Sequence, residues 1–116
     1  KKHKATGELQ FLIMGATFKE NCPDYRNSKV LDIFEELKKL NFNFDVFDPW
    51  IDKDSFFEEH KIKIHNKILN KKYDAIIVAV AHDEFKLIDI KSLKSTNSSV
   101  IYDVKGVLGD KCDRKL

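Results

Sequence analysis

The chain alternates short apolar runs with segments of mixed polarity, and four of its segments predict strands. Residues 9–14, LQFLIM, are largely apolar and are followed by a lone glycine, as is typical where a buried strand ends. Residues 73–81, YDAIIVAVA, carry an uninterrupted apolar run, which predicts a strand covered on both faces. Residues 42–48 alternate apolar and polar positions, and residues 98–104, SSVIYDV, form the last predicted strand.

Helical patterns lie between these strands. Apolar positions in residues 28–40 recur at helical spacing, so this segment predicts an amphipathic helix that buries one face. Those positions are Val30, Ile33, Phe34 and Leu37. Residues 52–60 predict a short helix, residues 62–64 a short strand, residues 66–71 a helical turn, and residues 82–95 a loop with a short helix.

Alternation of strands with helices predicts an α/β fold, with a parallel sheet flanked by helices in three layers. A chain of 116 residues has the size of a single domain. We expect residues 1–8 to be a disordered or linker tail and residues 9–116 to form the domain. Ligands of such sheets lie beyond the carboxyl ends of the strands. The segments that follow those ends are residues 15–26, 48–52, 81–86 and 103–109.

Composition argues against several classes of protein. The chain is 42% hydrophobic and 34% charged, as is typical of a soluble globular domain. Its net charge of +2 gives no support to nucleic acid as a partner. The longest apolar run, residues 75–81, is too short to span a bilayer, and the basic start of the chain lacks the apolar core of a signal peptide. Two cysteines make no disulfide framework, so we expect a reduced, cytoplasmic location and no membrane association.

The loop after the first strand, GATFKENCPDYR, differs from a glycine-rich phosphate loop. Only Gly15 is present, so a phosphate would have to meet a side chain instead of a backbone cradle. Lys19 offers a point charge that phosphate accepts, and Phe18 can stack on a flat base. The alternative is that Phe18 belongs to the core and Lys19 to the solvated surface. Spacing alone leaves both interpretations open.

The loops at the ends of the predicted strands 42–48 and 73–81 also carry polar candidates. Asp48 either accepts ribose hydroxyls or closes a turn, and Trp50 packs either within the domain or against a neighbouring one. His82 and Asp83 suggest acid–base chemistry. The alternative is that Asp83 or His82 caps the start of a helical turn that buries Phe85, and it is favoured because no nucleophile is nearby in sequence.

A second basic residue follows the last long strand. Lys105 leaves the sheet at the same edge as Lys19, and two lysines on one rim would suit a diphosphate.

A metal site is not expected, because His60 and His65 lack a cysteine or aspartate pattern that would complete a zinc site. Cys22 is interpreted as an ordinary loop cysteine, since no partner histidine is evident.

Four stretches together resemble a known family. LIMGATFKENCPDYRNSKVLDI, DVFDPW, YDAIIVAVAHDEF and VIYDVKGVL resemble the C-terminal, UDP-binding domain of the UDP-glucose/GDP-mannose dehydrogenase family. The ENCPD form is similar to the branch that oxidises UDP-N-acetylhexosamines to uronic acids for surface polysaccharides. The resemblance covers roughly residues 9–116 and implies a Rossmann-like domain that holds a UDP-sugar.

The resemblance also implies that further domains are needed for catalysis. Family members bind NAD in an N-terminal domain, which is missing here, and dimerise through a helical middle region. They oxidise the sugar C6 alcohol to a carboxylate through a catalytic cysteine, which neither Cys22 nor Cys112 matches. We therefore expect no catalytic residue in this chain, no activity from it alone, and a homodimer in the full enzyme.

Site residues are assigned by the same resemblance. Phe18 and Lys19 match the pair that family members place at the substrate. Lys105 matches a basic residue at the UDP that is arginine in many members, and lysine there lacks the bidentate fork. A matching motif implies structural support of the site loop by three residues. These are Asp24, Arg26 and Ser28. The alternative function is a free-standing nucleotide-binding or oligomerisation module without catalysis.

Overall fold

The computed structural model of this chain describes residues 9–26 and 28–103 and the backbone of residues 114–115. Within these residues it contains a six-stranded sheet in which all neighbouring strands run parallel. The strands are β1 (Gln10–Met14), β2 (Asn43–Phe47), β3 (Ile64–His65), β4 (Ala75–Val78), β5 (Val100–Asp103) and β6 (Arg114–Lys115). Their order across the sheet is β3-β2-β1-β4-β5-β6.

The chain adds successive strands in one direction across the sheet up to β3 and in the opposite direction from β4 onward, so the strand order reverses between β1 and β4. From β1 the chain adds β2 and then β3 on one side, and it returns to place β4, β5 and β6 on the other side. The same order occurs in doubly wound sheets that bind dinucleotides. Connections that leave β1 and β4 toward opposite sides open a crevice beyond their carboxyl ends, and ligands of such sheets bind there.

Two α-helices cover one face of the sheet. They are α1 (Val30–Lys39) and α2 (Lys53–His60). The apolar stripe of α1 buries Val30, Phe34 and Leu37, and α2 buries Phe56. These side chains pack in one cluster with Ile13 of β1. The helical spacing in the sequence therefore defines the face that α1 turns toward the sheet.

Short 3₁₀ helices cover the opposite face. They are Asp83–Leu87 and Ile90–Leu93. Their buried residues Phe85, Ile90 and Leu93 pack in a second cluster with Leu12 and Met14 of β1. Because side chains alternate along a strand, β1 supplies both clusters. The sheet is thus the middle of three layers, and the predicted α/β fold is confirmed.

Most predicted elements are confirmed, with shorter bounds. The strands predicted at residues 9–14, 42–48, 73–81 and 98–104 correspond to β1, β2, β4 and β5. The predicted helices at residues 28–40 and 52–60 correspond to α1 and α2. Ile33, which was expected to be buried with its three neighbours on α1, is only partly buried at the margin of the cluster. Strand β6 had no counterpart among the predicted strands.

The predictions for residues 62–71 need correction. Strand β3 is Ile64–His65 instead of residues 62–64, and the predicted helical turn at residues 66–71 is wrong. The Asn66 side-chain amide donates to the carbonyl oxygens of Asp48 and Ile51, both at 2.9 Å. These bonds hold the segment against the end of β2, and a local helical turn has no such partners.

Gly15 allows β1 and the continuation of β4 to approach closely. Its φ is +93°, and a Cβ atom placed there would lie 2.6 Å from Cβ of Val80. Only glycine fits both the backbone conformation and the space.

Among the described residues, none of the helices has the length and apolar character that crossing a membrane requires.

Candidate functional site

Three loops meet at the carboxyl ends of β1, β2 and β4. Met14 lies beside Phe47 of β2 and Val78 of β4, so the three strands end at one level. The loops that follow are residues 15–26, 48–52 and 79–86. Because successive strands are added on opposite sides of β1 and β4, these loops border the crevice where a ligand is expected.

The loop after β1 buries its start and exposes its tip. Thr17 is buried, whereas Phe18 is 60% exposed and Lys19 is exposed as well. The backbone N–H of Phe18 donates to the carbonyl of Asp24 at 2.7 Å, and the Thr17 hydroxyl donates to the carbonyl of Lys19 at 2.8 Å. The loop therefore presents an aromatic ring and an ammonium group to solvent from a backbone with internal hydrogen bonds.

The exposure of Phe18 excludes one interpretation of the tip, whereas the exposure of Lys19 is compatible with both. The interpretation of Phe18 as a core residue is wrong, because most of its ring faces solvent. Lys19 is at the surface, as a ligand-binding lysine and a merely solvated one both would be. Lys105 lies outside the described residues. That Phe18, Lys19 and Lys105 contact a substrate therefore stays a prediction.

Directly beneath the tip, His82 forms the centre of a buried hydrogen-bond network. Its side chain is 0% exposed. Its Nε2 atom lies 3.0 Å from Asp48 Oδ2 and 3.2 Å from Thr17 Oγ1. Its Nδ1 atom accepts a hydrogen bond of 2.9 Å from the backbone N–H of Asn21. One imidazole ring thus joins the loops that follow β1, β2 and β4.

The hydrogen bonds define the tautomer of this ring. Nδ1 accepts from the Asn21 N–H and so carries no proton, which places the proton of the neutral ring on Nε2. The hydroxyl proton of Thr17 is donated to Lys19, so Thr17 Oγ1 shares the Nε2 proton with Asp48 as an acceptor. Both ring nitrogens are thereby paired, as burial of a polar side chain requires.

Asp48 completes the network from the end of β2. Its carboxylate is also 0% exposed. Oδ1 accepts from the backbone N–H of Trp50 and Oδ2 from that of Ala16, both at 2.8 Å. The bond to Trp50 closes a turn, so the interpretation of Asp48 as a turn residue is confirmed. The other interpretation, that Asp48 accepts ribose hydroxyls, is not supported, because both carboxylate oxygens are buried and already accept hydrogen bonds.

His82 and Asp83 do not form the acid–base pair that their sequence suggests. The exposed carboxylate of Asp83 lies 3.8 Å from Lys86 Nζ, and the carboxylate that faces His82 is Asp48. The helical turn of the alternative is confirmed, because a 3₁₀ helix begins at Asp83 directly after His82 and buries Phe85, but the His82 side chain makes no capping hydrogen bond to it.

Trp50 covers the network from outside. Its indole stacks on the imidazole of His82, with ring centroids 6.0 Å apart and an angle of 26° between the planes. Its Nε1–H donates to Glu84 at 3.0 Å. Of the two placements considered for Trp50, the structure therefore shows packing within this chain, although part of the ring remains exposed.

The far arm of the first loop is linked to α1. The Arg26 guanidinium donates to both carboxylate oxygens of Asp24, at 3.1 and 3.2 Å, and these bonds hold the pKa of Asp24 below its usual 3.8. Ser28 Oγ donates to the carbonyl of Thr17 and accepts from the N–H of Val30, both at 3.2 Å. Support of the site by Asp24, Arg26 and Ser28 stays a prediction.

Cys22 stays without an assigned role, and the described residues offer no metal site. Cys22 is a free, half-buried cysteine in the first loop. Within residues 9–26 and 28–103, no group of three or more His, Cys, Asp or Glu side chains is arranged to hold a metal ion.

Comparison with known proteins identifies the family. Residues 12–110 match the UDP-glucose/GDP-mannose dehydrogenase family, UDP binding domain. The chain belongs to this family. Among the relatives of this UDP binding domain, UDP-N-acetyl-D-glucosamine 6-dehydrogenase of Pseudomonas aeruginosa is 44% identical over 108 residues, covering 90% of this chain and 26% of that protein. The enzyme of the same name from Salmonella typhi is 42% identical over 99 residues, covering 84% of this chain and 23% of that protein.

A solved structure supports the fold of the UDP binding domain. UDP-D-ManNAc dehydrogenase from Pyrococcus horikoshii aligns with a TM-score of 0.73 at 22% sequence identity, over 95% of this chain and 26% of that one. The resemblance in sequence and the predicted fold are both confirmed. The chain spans about a quarter of the length of the curated relatives it matches.

Sequence reasoning found the tip of this UDP binding domain's first loop but missed its base. Phe18 and Lys19 stood out because they replace a glycine cradle after β1. The pairing of His82 with Asp48 was missed, because the two residues are 34 positions apart. The available signal was that Asp48 ends one predicted strand and His82 directly follows another, yet only the order of the strands shows that those loops adjoin.

Proposed function

We propose that this chain is the UDP-sugar-binding domain of an NAD-dependent nucleotide-sugar 6-dehydrogenase. The observation that carries the proposal is an exposed aromatic–lysine tip at the reversal point of a sheet that belongs to a UDP binding domain. The full enzyme would oxidise the sugar C6 alcohol to the carboxylate and so produce a uronic acid for surface polysaccharide synthesis in the cytoplasm.

The substrate we propose is a UDP-N-acetylhexosamine. This choice rests on the two relatives at 44% and 42% identity, both named UDP-N-acetyl-D-glucosamine 6-dehydrogenase. In the proposed complex the ammonium of Lys19 contacts the diphosphate, and the ring of Phe18 stacks on the uracil. Lys105 supplies a second positive charge. A charge-assisted hydrogen bond to phosphate of this kind contributes about 1.5–3 kcal/mol.

NAD does not fit the first loop of this chain. A dinucleotide pyrophosphate is held by backbone N–H groups of a glycine-rich turn, and such a turn needs several glycines. Gly15 is the lone glycine between β1 and α1, and the bulky Phe18 and Lys19 stand where the cradle would be. We therefore assign NAD to another domain of the full-length protein, and we expect the 116-residue chain to reduce no NAD with any UDP-sugar.

The other partners of this domain follow from the same proposal. The remaining domains of the full-length chain would complete the pocket around the sugar and bring the cofactor to its C6 atom. The full enzyme would act as a homodimer. No nucleic acid or membrane partner is proposed.

Isothermal titration calorimetry tests the site in the full-length protein with UDP as the ligand. Lys19→Ala should weaken UDP binding about tenfold or more, because it removes a charge-assisted bond to phosphate. Lys38→Ala is the matched control, since it removes the same charge from an exposed position in the last turn of α1, away from the carboxyl ends of the strands. Equal affinity of wild type and Lys19→Ala would contradict the proposed site.

The alternative is a nucleotide-binding or oligomerisation module without catalysis. Reduction of NAD by the full-length protein with a UDP-N-acetylhexosamine separates the two functions. UDP binding without NAD reduction would favour a binding module. Failure to bind any uridine nucleotide would favour an oligomerisation module.

A further inference from the structure

The tip of the first loop is held at both of its ends by one side chain. Thr17 contacts Nε2 of His82, and the backbone of Asn21 contacts Nδ1 of the same ring. The three residues between them, 18–20, are exposed. We propose that His82 is a positioning residue that fixes the UDP-binding conformation of the Phe18–Lys19 tip, an inference that rests on the function proposed above.

The contacts of the His82 ring with Thr17 and Asn21 form a clamp on the tip, and both ring nitrogens take part in it. The Nε2–H faces Asp48 and Thr17 at 3.0 and 3.2 Å, and Nδ1 accepts from Asn21 at 2.9 Å. A short tether of five residues, 17–21, thus begins and ends on one imidazole. Fixing both ends restricts the backbone conformations open to residues 18–20, and a binding group that is already ordered loses less entropy when the ligand binds.

The conformation of the tip depends on this closure. Asn21 has a φ of +55°, an uncommon backbone conformation for a residue other than glycine. Its side-chain Oδ1 accepts from the N–H of Asp83 at 2.9 Å, so Asn21 bonds to the β4 loop through both backbone and side chain. The unusual turn after Lys19 is therefore held by groups on another strand end as well as by hydrogen bonds within its own loop.

The ring itself is well placed to act as a rigid support. Asp48, which accepts a hydrogen bond from the Nε2–H of His82, also accepts one from the N–H of Ala16 and so anchors the start of the same loop. Trp50 and Phe85 pack on the imidazole, with ring centroids at 6.0 and 5.3 Å. With its rotamer held by packing and both nitrogens bonded, His82 can transmit the position of β2 and β4 to the tip.

Substitutions of His82 separate its two contacts. His82→Ala removes both and should raise the Kd for UDP about tenfold in the full-length protein, while the affinity for NAD stays unchanged. His82→Gln keeps a donor near the Nε2 position, and His82→Asn keeps an acceptor near the Nδ1 position. Each should recover part of the loss. Equal UDP affinity of wild type and a folded His82→Ala variant would overturn the proposal.

A local readout separates positioning from general destabilisation. Hydrogen exchange of the peptide that covers residues 15–26 should accelerate in His82→Ala, because the Asn21 N–H loses its acceptor. Tyr73→Phe is the matched control, since it removes a buried hydroxyl that donates to Asp45 at 2.9 Å on the approach to β4, before that strand begins. It should leave both the exchange of residues 15–26 and the UDP affinity unchanged. Unaltered exchange in His82→Ala would count against the clamp.

A second variant covers the case in which His82→Ala does not fold. Thr17→Val preserves the shape of the side chain but removes the hydroxyl that links His82 to the Lys19 carbonyl. It should raise the Kd for UDP about threefold to fivefold, a change of roughly 1 kcal/mol. An unchanged Kd would overturn the proposal.

Lys19→Ala distinguishes failure of this inference from failure of the proposed function. If wild type binds UDP and Lys19→Ala does not, the site is correct and the His82 variants test positioning alone. If Lys19→Ala binds UDP as wild type does, the proposed site at the tip fails, and the positioning role fails with it. If wild type binds no UDP, the proposed function itself fails.

Discussion

Among the described residues, two regions expose a phenylalanine near a lysine, and they differ in what positions the pair. At the strand ends, Phe18 is 60% exposed next to Lys19. On α2, Phe57 is 51% exposed, and Lys61 Nζ lies 6.0 Å from the centre of its ring. In exposure the two phenylalanines are similar.

The difference lies in what holds each pair and where it sits. Phe57 lies on the short helix α2 at the β3 edge of the sheet, and Lys61 is the C-terminal cap of that helix. The lysine ammonium lies over the face of the Phe57 ring, so the two side chains contact each other. Phe18 and Lys19 lie on a loop that is bonded to His82 from below, at the reversal point of the sheet. An exposed aromatic–lysine pair is thus informative only when buried contacts and topology position it for a ligand.

Removing the packing beneath the strand-end site should have the largest effect. Phe85 is fully buried and packs on His82 and Phe47, so Phe85→Ala should lower the free energy of unfolding by about 3–5 kcal/mol. Phe57→Ala should change it by less than about 0.5 kcal/mol, because that ring is largely in solvent. Chemical denaturation of the chain measures both. Similar losses in the two variants would remove the contrast between the regions.

A methyl group at Gly15 should have the next largest effect. The Cβ atom would meet Val80 at 2.6 Å, and the φ of +93° disfavours any side chain, so Gly15→Ala should cost roughly 2–4 kcal/mol. Asn41→Ala isolates the backbone strain, because Asn41 has a φ of 61° but is exposed, and it should cost roughly 1 kcal/mol. Denaturation curves in which the two variants lose equal stability would show that the close approach to Val80 is relieved.

Ligand binding should respond to one phenylalanine and not to the other. Phe18→Ala should weaken UDP binding by the full-length protein roughly tenfold, since stacking of a base on an aromatic ring contributes about 1–3 kcal/mol. Phe57→Ala should leave UDP binding unchanged. Calorimetry with UDP compares the two variants directly, and a loss of affinity in Phe57→Ala alone would transfer the site to the α2 region.

The smallest effect concerns two aspartates with lowered pKa values. Hydrogen bonds from Arg26 lower the pKa of Asp24, whereas hydrogen bonds from Ser55 and the N–H of Asp54 lower that of Asp52 at the start of α2. Arg26→Ala should therefore return the pKa of Asp24 toward 3.8 and leave that of Asp52 lowered. A titration followed by NMR measures both carboxyl groups, and an unmoved Asp24 would show that Arg26 is not its partner.

The direction of the pH dependence follows from these shifts. A lowered pKa means that the folded state favours the ionised carboxylate. The stabilisation is therefore present at neutral pH and is lost as the pH falls through the folded-state pKa, below 3.8 for both groups.

Prediction from sequence succeeded where one segment carries its own signal. The helical spacing of Val30, Phe34 and Leu37 is a local property, and so is the apolar run of β4. It failed at residues 66–71, because the partners of Asn66 are carbonyl groups on the loop after β2. It also left Phe18 open between the core and the surface, since an aromatic residue after an apolar run is equally compatible with burial and exposure.

The sequence by itself determined the α/β layering, the bounds of the main elements to within a few residues, the loss of the glycine cradle after β1 and the membership of the family. Each depends on spacing or motif within one stretch of chain. Only the tertiary structure decided that His82, Asp48 and the first loop form one network, because contacts across 34 and 65 positions depend on the order of the strands. Hydrogen bonds are directional and short, so the pattern that builds the sheet does not reveal which strand-end side chains will meet.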